Sequence, residues 1–369
     1  MGKYFEDFNL GEVIQTRART VTEADIMQYA GLCWDTQREH TNAEFARKSP
    51  FGERIGQQQL GLLIAHGLIG CSRVLENTLY SVLRLEWHYL SPIKIGDTLH
   101  VKMSVADKRP LATAESGLVT FDFETINQRE QIVHQVRRTT AVVCRARGSK
   151  PAQPPRRCEY RFQGLSDLGP AHARHTPTVP KSASADRAAP PQNKKERTVK
   201  GKYYEEFELG EELVTEARTI AEADVINYTM LSWDNDPLHT DAEFGRSSGL
   251  GGIVAPLLLP IVFANGLGAT LGYLAGTNRG ALGDWWELVH PARIGDTLHF
   301  RQIVVEKKDA KDPETGIVTY GMEMVNQHGT VVSRGERSAL VARLEQEKSQ
   351  EWKFVFGTVD DLAKEHKGD

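Results

Sequence analysis

Residues 18–32, ARTVTEADIMQYAGL, carry apolar positions near every 3.6 residues behind a Thr/Glu start signal, which predicts a helix. A polar stretch follows, and HTNAEFARKS from His40 predicts a second, short helix. The long apolar segment from about Gln57 to Leu75 is the candidate for a central helix. Beyond it the period changes to two. VLRLEWHYL, TLHVKMSVADKR, GLVTFDFETINQ and QIVHQVRRTTAVVCRA alternate as strands do, with turns at Ile95–Gly96–Asp97 and Asn127–Gln128. Helices followed by a meander of strands predict an α+β fold in which a sheet wraps one buried helix. The pattern leaves the strand order open.

The same pattern then returns. KYFEDFNLGE at Lys3 matches KYYEEFELGE at Lys202, and SPIKIGDTLH at Ser91 matches HPARIGDTLH at His290. The offset is 199 throughout, without a gap from Lys3 to about Arg145. A solenoid unit runs about 20–50 residues, so each copy is a domain, near the common size of roughly 100–150 residues. Residues 1–147 are read as the first repeat and 200–346 as the second. The Pro-, Ala-, Ser- and Lys/Arg-rich stretch 148–199 reads as a linker, with room for an ordered piece about Cys158–Leu168. Residues 347–369 form a charged tail that could hold a short helix at VDDLAKEHK.

Composition adds bounds. An apolar fraction of 40% over 369 residues supports two ordinary cores. A net charge of −4 gives no reason to expect a nucleic-acid partner. Cys33, Cys71, Cys144 and Cys158 lack metal-ligand spacing, and none recurs in the second repeat. No structural disulfide and a reducing compartment are therefore expected. MGKYFEDFNLGE is not an apolar signal segment, so the chain reads as cytoplasmic. IVAPLLLPIVFANGLGATLGYLAG is apolar but carries prolines and Asn265, and its counterpart is amphipathic. Both read as core helices, with no membrane partner.

Candidate chemistry centres on Asp35–x4–His40 in YAGLCWDTQREHTNAEFARKS and Asp234–x4–His239 in YTMLSWDNDPLHTDAEFGRSS. The residues between them differ freely (TQRE against NDPL), yet both ends are kept. A histidine holds or releases a proton near neutral pH, and a nearby carboxylate can share in activating water or orient the ring. Packing and helix capping are the competing explanation. His66 and Asn265 interrupt the two apolar helices at equivalent positions, each before a glycine. Each either faces a cavity or makes an internal hydrogen bond beside a glycine that lets helices pack closely. Asp97 and Asp296 in the two IGDTLH segments read as turn residues. Trp34 and Trp233 read as packing anchors, able also to wall a pocket. No nucleophile triad, phosphate loop or metal signature is present.

At these residues the chain resembles the MaoC-like hydratase family, which includes (R)-specific enoyl-CoA hydratases. Tyr228, Asp234, Pro237, Leu238, His239 and Ala242 fall in register with its motif, as do Tyr29, Asp35, His40 and Ala43. Trp34 and Trp233 replace the family glycine before the Asp. Gln37 and Asp236 replace its asparagine, and Arg38 its proline in the first copy. The resemblance implies a double hotdog, each repeat an antiparallel sheet wrapped around a long central helix. It implies water addition to, or removal from, the 2,3 double bond of an enoyl-CoA thioester, with Asp35, His40, Asp234 and His239 as the acid–base groups. A backbone N–H at the helix start, which counting places at Gln58 and Leu257, would hold the thioester oxygen. His66 and Asn265 would line the substrate space. No metal or other cofactor is implied. The partner implied is an acyl-CoA thioester, and two double hotdogs could pair as a homodimer. A non-catalytic acyl-CoA-binding protein is the alternative, with a thioesterase behind it, because the long helix carries no Asp or Glu before Arg73.

Overall fold

The computed structural model describes residues 2–111, 115–145, 201–248, 250–344, 354–358 and 362. The expected linker, its ordered piece about Cys158–Leu168, and most of the helix expected at VDDLAKEHK lie outside these residues. In the first repeat, β1 (Val13–Gln15) and β2 (Arg19–Thr20) lead into α1 (Glu23–Cys33). Then come α2 (Arg38–Thr41), α3 (Ala43–Arg47), α4 (Gln58–Cys71), β3 (Leu79–Tyr89), β4 (Thr98–Pro110), β5 (Ser116–Ile126) and β6 (Ile132–Val143). The second repeat has the same order: β7 (Glu212–Val214), β8 (Arg218–Thr219), α5 (Glu222–Ser232), α6 (Pro237–Thr240), α7 (Ala242–Ser247), α8 (Leu259–Thr270), β9 (Asn278–Leu288), β10 (Thr297–Asp309), β11 (Thr315–Val325) and β12 (Val331–Ala342). A short β13 (Val355–Phe356) follows.

The strands form one sheet in the order β1-β4-β5-β6-β3-β9-β12-β11-β10-β7. β3 meets β9 antiparallel, with Glu86 opposite Trp285. Those two residues are equivalent at the 199-residue offset, so a pseudo-twofold axis passes between them. The α+β expectation holds, and each half-sheet curls around one long helix. Leu60, Leu63, Ile64 and Leu68 of α4 and Leu259, Val262, Phe263 and Leu267 of α8 are buried. They belong to one apolar core running through both repeats, with Trp87 and Trp286 among its largest side chains.

Several expectations change in detail. Arg19–Thr20, read as part of the first helix, form β2, and the short helix expected from His40 is divided between α2 and α3. α4 ends at Cys71 rather than near Leu75, because Arg73 and Asn77 turn into left-handed backbone (φ 57° and 59°). α8 starts at Leu259, two residues later than its counterpart, with Pro260 in its first turn. Proline has no N–H to close a helical turn beginning two residues earlier, and it fits where helical N–H groups are unbonded anyway. The tail contributes a strand where only a charged tail was expected: β13 pairs parallel with β9, Val355 opposite Gly280. Among the described residues no helix is long and apolar enough to cross a membrane.

Candidate active sites

Each Asp–His element sits where a helix is stopped. α1 ends at Trp34 in the left-handed region (φ 71°), whose N–H donates to Ala30 O at 2.8 Å. Trp233 (φ 69°) ends α5 in the same way. The chain then reverses through a buried aspartate, Asp35 or Asp234, into the single turn of α2 or α6 that carries the histidine. Trp34 and Trp233 are not packing anchors: they are 47% and 38% exposed. Each indole lies under a guanidinium from the other repeat, Arg218 over Trp34 at 4.3 Å and Arg19 over Trp233 at 4.4 Å.

At the first site, His40 Nδ1 pairs with the Ile55 carbonyl at 2.9 Å, which turns Nε2 toward Asp35 Oδ2, 4.0 Å away. Asp35 Oδ1 accepts from Gln37 Nε2 at 3.1 Å, and Oδ2 accepts from Asn265 Nδ2 at 3.0 Å. Asn265 belongs to α8, so the second repeat's helix completes the first repeat's site. Gln57 caps α4, and its side chain reaches the Asp35 carbonyl at 3.5 Å. Asp35, His40, Gln58 and Asn265 line one cavity of about 200 Å³, together with Phe51, Arg337, Asp284 and the tail residue Phe354.

The second site repeats this frame with different chemistry. His239 Nδ1 pairs with the Val254 carbonyl at 2.9 Å. His66 of α4 crosses from the first repeat and places Nε2 3.8 Å from Asp234 Oδ2. Burial depresses the His66 pKa to about 4, against the pull of the Asp234 carboxylate, so its imidazole is neutral near pH 7. Asp236 caps α6 at the Leu238 N–H (2.9 Å), and burial raises its pKa while His239 opposes that. Asp234, His239, Leu257 and His66 line a larger cavity of about 540 Å³.

The eight candidate residues thus fall into two groups of four, each drawing its helix residue from the opposite repeat. The glycine after that residue makes this possible. A Cβ on Gly67 would lie 1.8 Å from the Ser232 carbonyl oxygen, and one on Gly266 would lie 1.6 Å from that of Cys33. Both readings of the polar–glycine pair therefore hold for Asn265, which makes a hydrogen bond and faces a cavity. Asp97 is a turn residue, as expected: it is buried and accepts from Lys94 N (2.9 Å) and Arg129 Nη2 (2.8 Å). Leu257 lines its cavity but precedes α8 rather than opening it.

Sequence reasoning passed over Arg138, Arg337, Asp284 and Phe354, all of which line these cavities. A signal for the first two was present. In QVRRTT the alternation puts Arg138 on the apolar phase, between Val136 and Thr140, and Arg337 recurs at the same offset.

A family model described as MaoC like domain matches residues 7–125 and again 206–326. Protein MaoC of Klebsiella aerogenes is 35% identical over 109 residues, 29% of this chain and 31% of its own, so the chain spans about a third of that relative. The (R)-specific enoyl-CoA hydratase of Rhodospirillum rubrum is 30% identical over 118 residues, 32% of this chain and 77% of the relative. Among solved structures, a conserved hypothetical protein of Mycobacterium tuberculosis described as a double hotdog superposes with a TM-score of 0.66 at 17% identity. The alignment covers 92% of this chain and 98% of that one, a likeness of fold alone.

Proposed function

The chain belongs to the MaoC-like domain family, and from that premise we propose that it adds water across, or removes it from, the 2,3 double bond of an enoyl-CoA thioester. One observation carries the reading. In both repeats the histidine Nδ1 is fixed to a backbone carbonyl, which keeps Nε2 out of that bond, and the histidine lines the same cavity as its aspartate. At the first site the two groups stand 4.0 Å apart. A water about 2.8 Å from each atom fits that gap with hydrogen bonds to both.

In hydration, the thioester carbonyl is polarised by a backbone N–H, that of Gln58 where α4 begins or that of Leu257 just ahead of α8. Negative charge moves onto that oxygen as water attacks C3. The Asp–His pair removes one proton from the water and delivers one to C2, so the product is the 3-hydroxyacyl thioester. Dehydration runs the same steps in reverse. One such N–H is typically worth about 3–4 kcal/mol in the transition state. A fixed pair of acid–base groups adds about 10²–10⁴-fold.

Asp35→Asn with His40→Asn, and Asp234→Asn with His239→Asn, made separately and together, test this. Hydration of crotonyl-CoA, followed by loss of the enoyl absorbance, should fall at least 10²-fold in whichever pair serves the working site, with circular dichroism unchanged. Full activity in the quadruple variant would sink the reading. Binding without turnover in the unaltered protein would favour the acyl-CoA-binding alternative.

A further inference from the structure

Arg138 of β6 and Arg337 of β12 are equivalent positions with different surroundings. Arg337 is neutralised by Asp284 of β9, its register partner: Nε donates at 3.0 and 3.1 Å and Nη2 at 2.7 Å. The register partner of Arg138 is Leu85. The first repeat therefore has the cation without that register-partner carboxylate. Arg138 is 2% exposed, and its Nε and Nη2 are buried with no hydrogen-bond partner among the described residues. The Phe123 and Phe121 rings lie 4.9 and 5.7 Å from the guanidinium. The group lines the cavity of about 540 Å³ together with Asp234, His239 and His66. Burial lowers its pKa only to about 10, the Asp234 carboxylate opposing, so it stays charged near pH 7.

A buried guanidinium with donors left over is costly unless an anion meets it, and a planar carboxylate matches its fork. We propose that Arg138 receives a carboxylate carried on the acyl chain of the thioester bound at the second-repeat site. The substrate class there is then an enoyl thioester with a second acid group. This rests on the reading of that site as an acyl-thioester site. At the first-repeat site Asp284 already holds the equivalent position, so an uncharged acyl chain suits that cavity.

Saturated thioesters bind without reacting, which separates recognition from turnover. Glutaryl-CoA and valeryl-CoA have acyl chains of equal length and differ by the terminal carboxylate. Titration calorimetry on the full chain should show glutaryl-CoA binding about 30-fold tighter, equivalent to ~2 kcal/mol at about 1.4 kcal/mol per tenfold. Leu85→Asp, which copies the Asp284 arrangement, should remove that preference and leave valeryl-CoA affinity within about threefold. Arg138→Met should also remove the preference, and Leu85→Asp carries the test if that variant does not fold. Equal affinity of the unaltered protein for both thioesters would overturn the carboxylate assignment alone, as would a preference that survives Leu85→Asp. Weakening of both thioesters alike in the variants would make Arg138 a counter-charge for Asp234 instead. Failure of either thioester to bind the unaltered protein would bring down the acyl-thioester reading and this assignment with it.

Discussion

Trp34 and Trp233 hold left-handed backbone, a conformation that costs a residue with a Cβ about 1–2 kcal/mol. The stacked guanidinium returns about 0.5–1 kcal/mol of that. Trp34→Ala should therefore lose the stack and keep the strain, while Trp34→Gly loses the stack and relieves the strain. The glycine variant should be the more stable of the two by about 1 kcal/mol in urea unfolding; equal midpoints would refute the argument. His134 makes a second residue-scale case. It is 2% exposed, and burial depresses its pKa from 6.5 to about 3. The unfolded chain thus takes up the proton first on acidification. Stability should fall as pH drops from about 6.5 toward 3, by at most roughly 5 kcal/mol from this group. His134→Gln should flatten that part of a urea-midpoint profile against pH. At this scale the Asp–His ends were legible, because the repeat keeps them while their neighbours diverge. Arg138 was passed over because its meaning lies in Leu85, an ordinary apolar residue until its equivalent is seen to be Asp284.

The element that matters most is the long helix of each repeat, which approaches the opposite loop through a single glycine. Gly67→Ala must push α4 away from Ser232, and Gly266→Ala must push α8 away from Cys33. Each should destabilise the protein by about 3 kcal/mol and disturb the site it faces. Gly70→Ala is the control. Its Cβ would find nothing nearer than Asp234 Oδ1 at 3.8 Å, and alanine suits a helix better by up to about 1 kcal/mol. Thermal unfolding of the three variants checks the order; a Gly67→Ala protein as stable as Gly70→Ala would refute it. The long helix and the long strands were readable from the change of period, whereas residues 78–89 carry little pattern and β2 (Arg19–Thr20) falls inside the segment read as the first helix. The late start of α8 was not, because it depends on how Pro260 competes with ungapped counting. β13 was not either, because two residues of strand pairing leave no periodicity to see.

Across the molecule, and among the described residues, the two half-sheets join only through β3 and β9, and the apolar core is shared. Separate chains of residues 1–147 and 200–346 would each expose a strand edge and lack the helix residue that completes the site. Neither should hydrate an enoyl thioester as a monomer, and mixing the two should restore activity in a complex seen by size-exclusion chromatography with light scattering. Turnover by a lone monomeric half would contradict the composite sites. The 199-residue offset made the two halves visible but not their crossing, since it says which residues are equivalent and not which ones meet. That crossing has a consequence for descent. In a symmetric pair built from two identical chains, any change at the position of Arg138 or Leu85 would be printed into both sites at once. Here the gene spells each position twice, so an aspartate could vanish from one strand while its twin persisted on the other. Joining the copies in one chain lets inherited change break the symmetry, and each half can alter the specificity of a site whose acid–base residues belong to the other half.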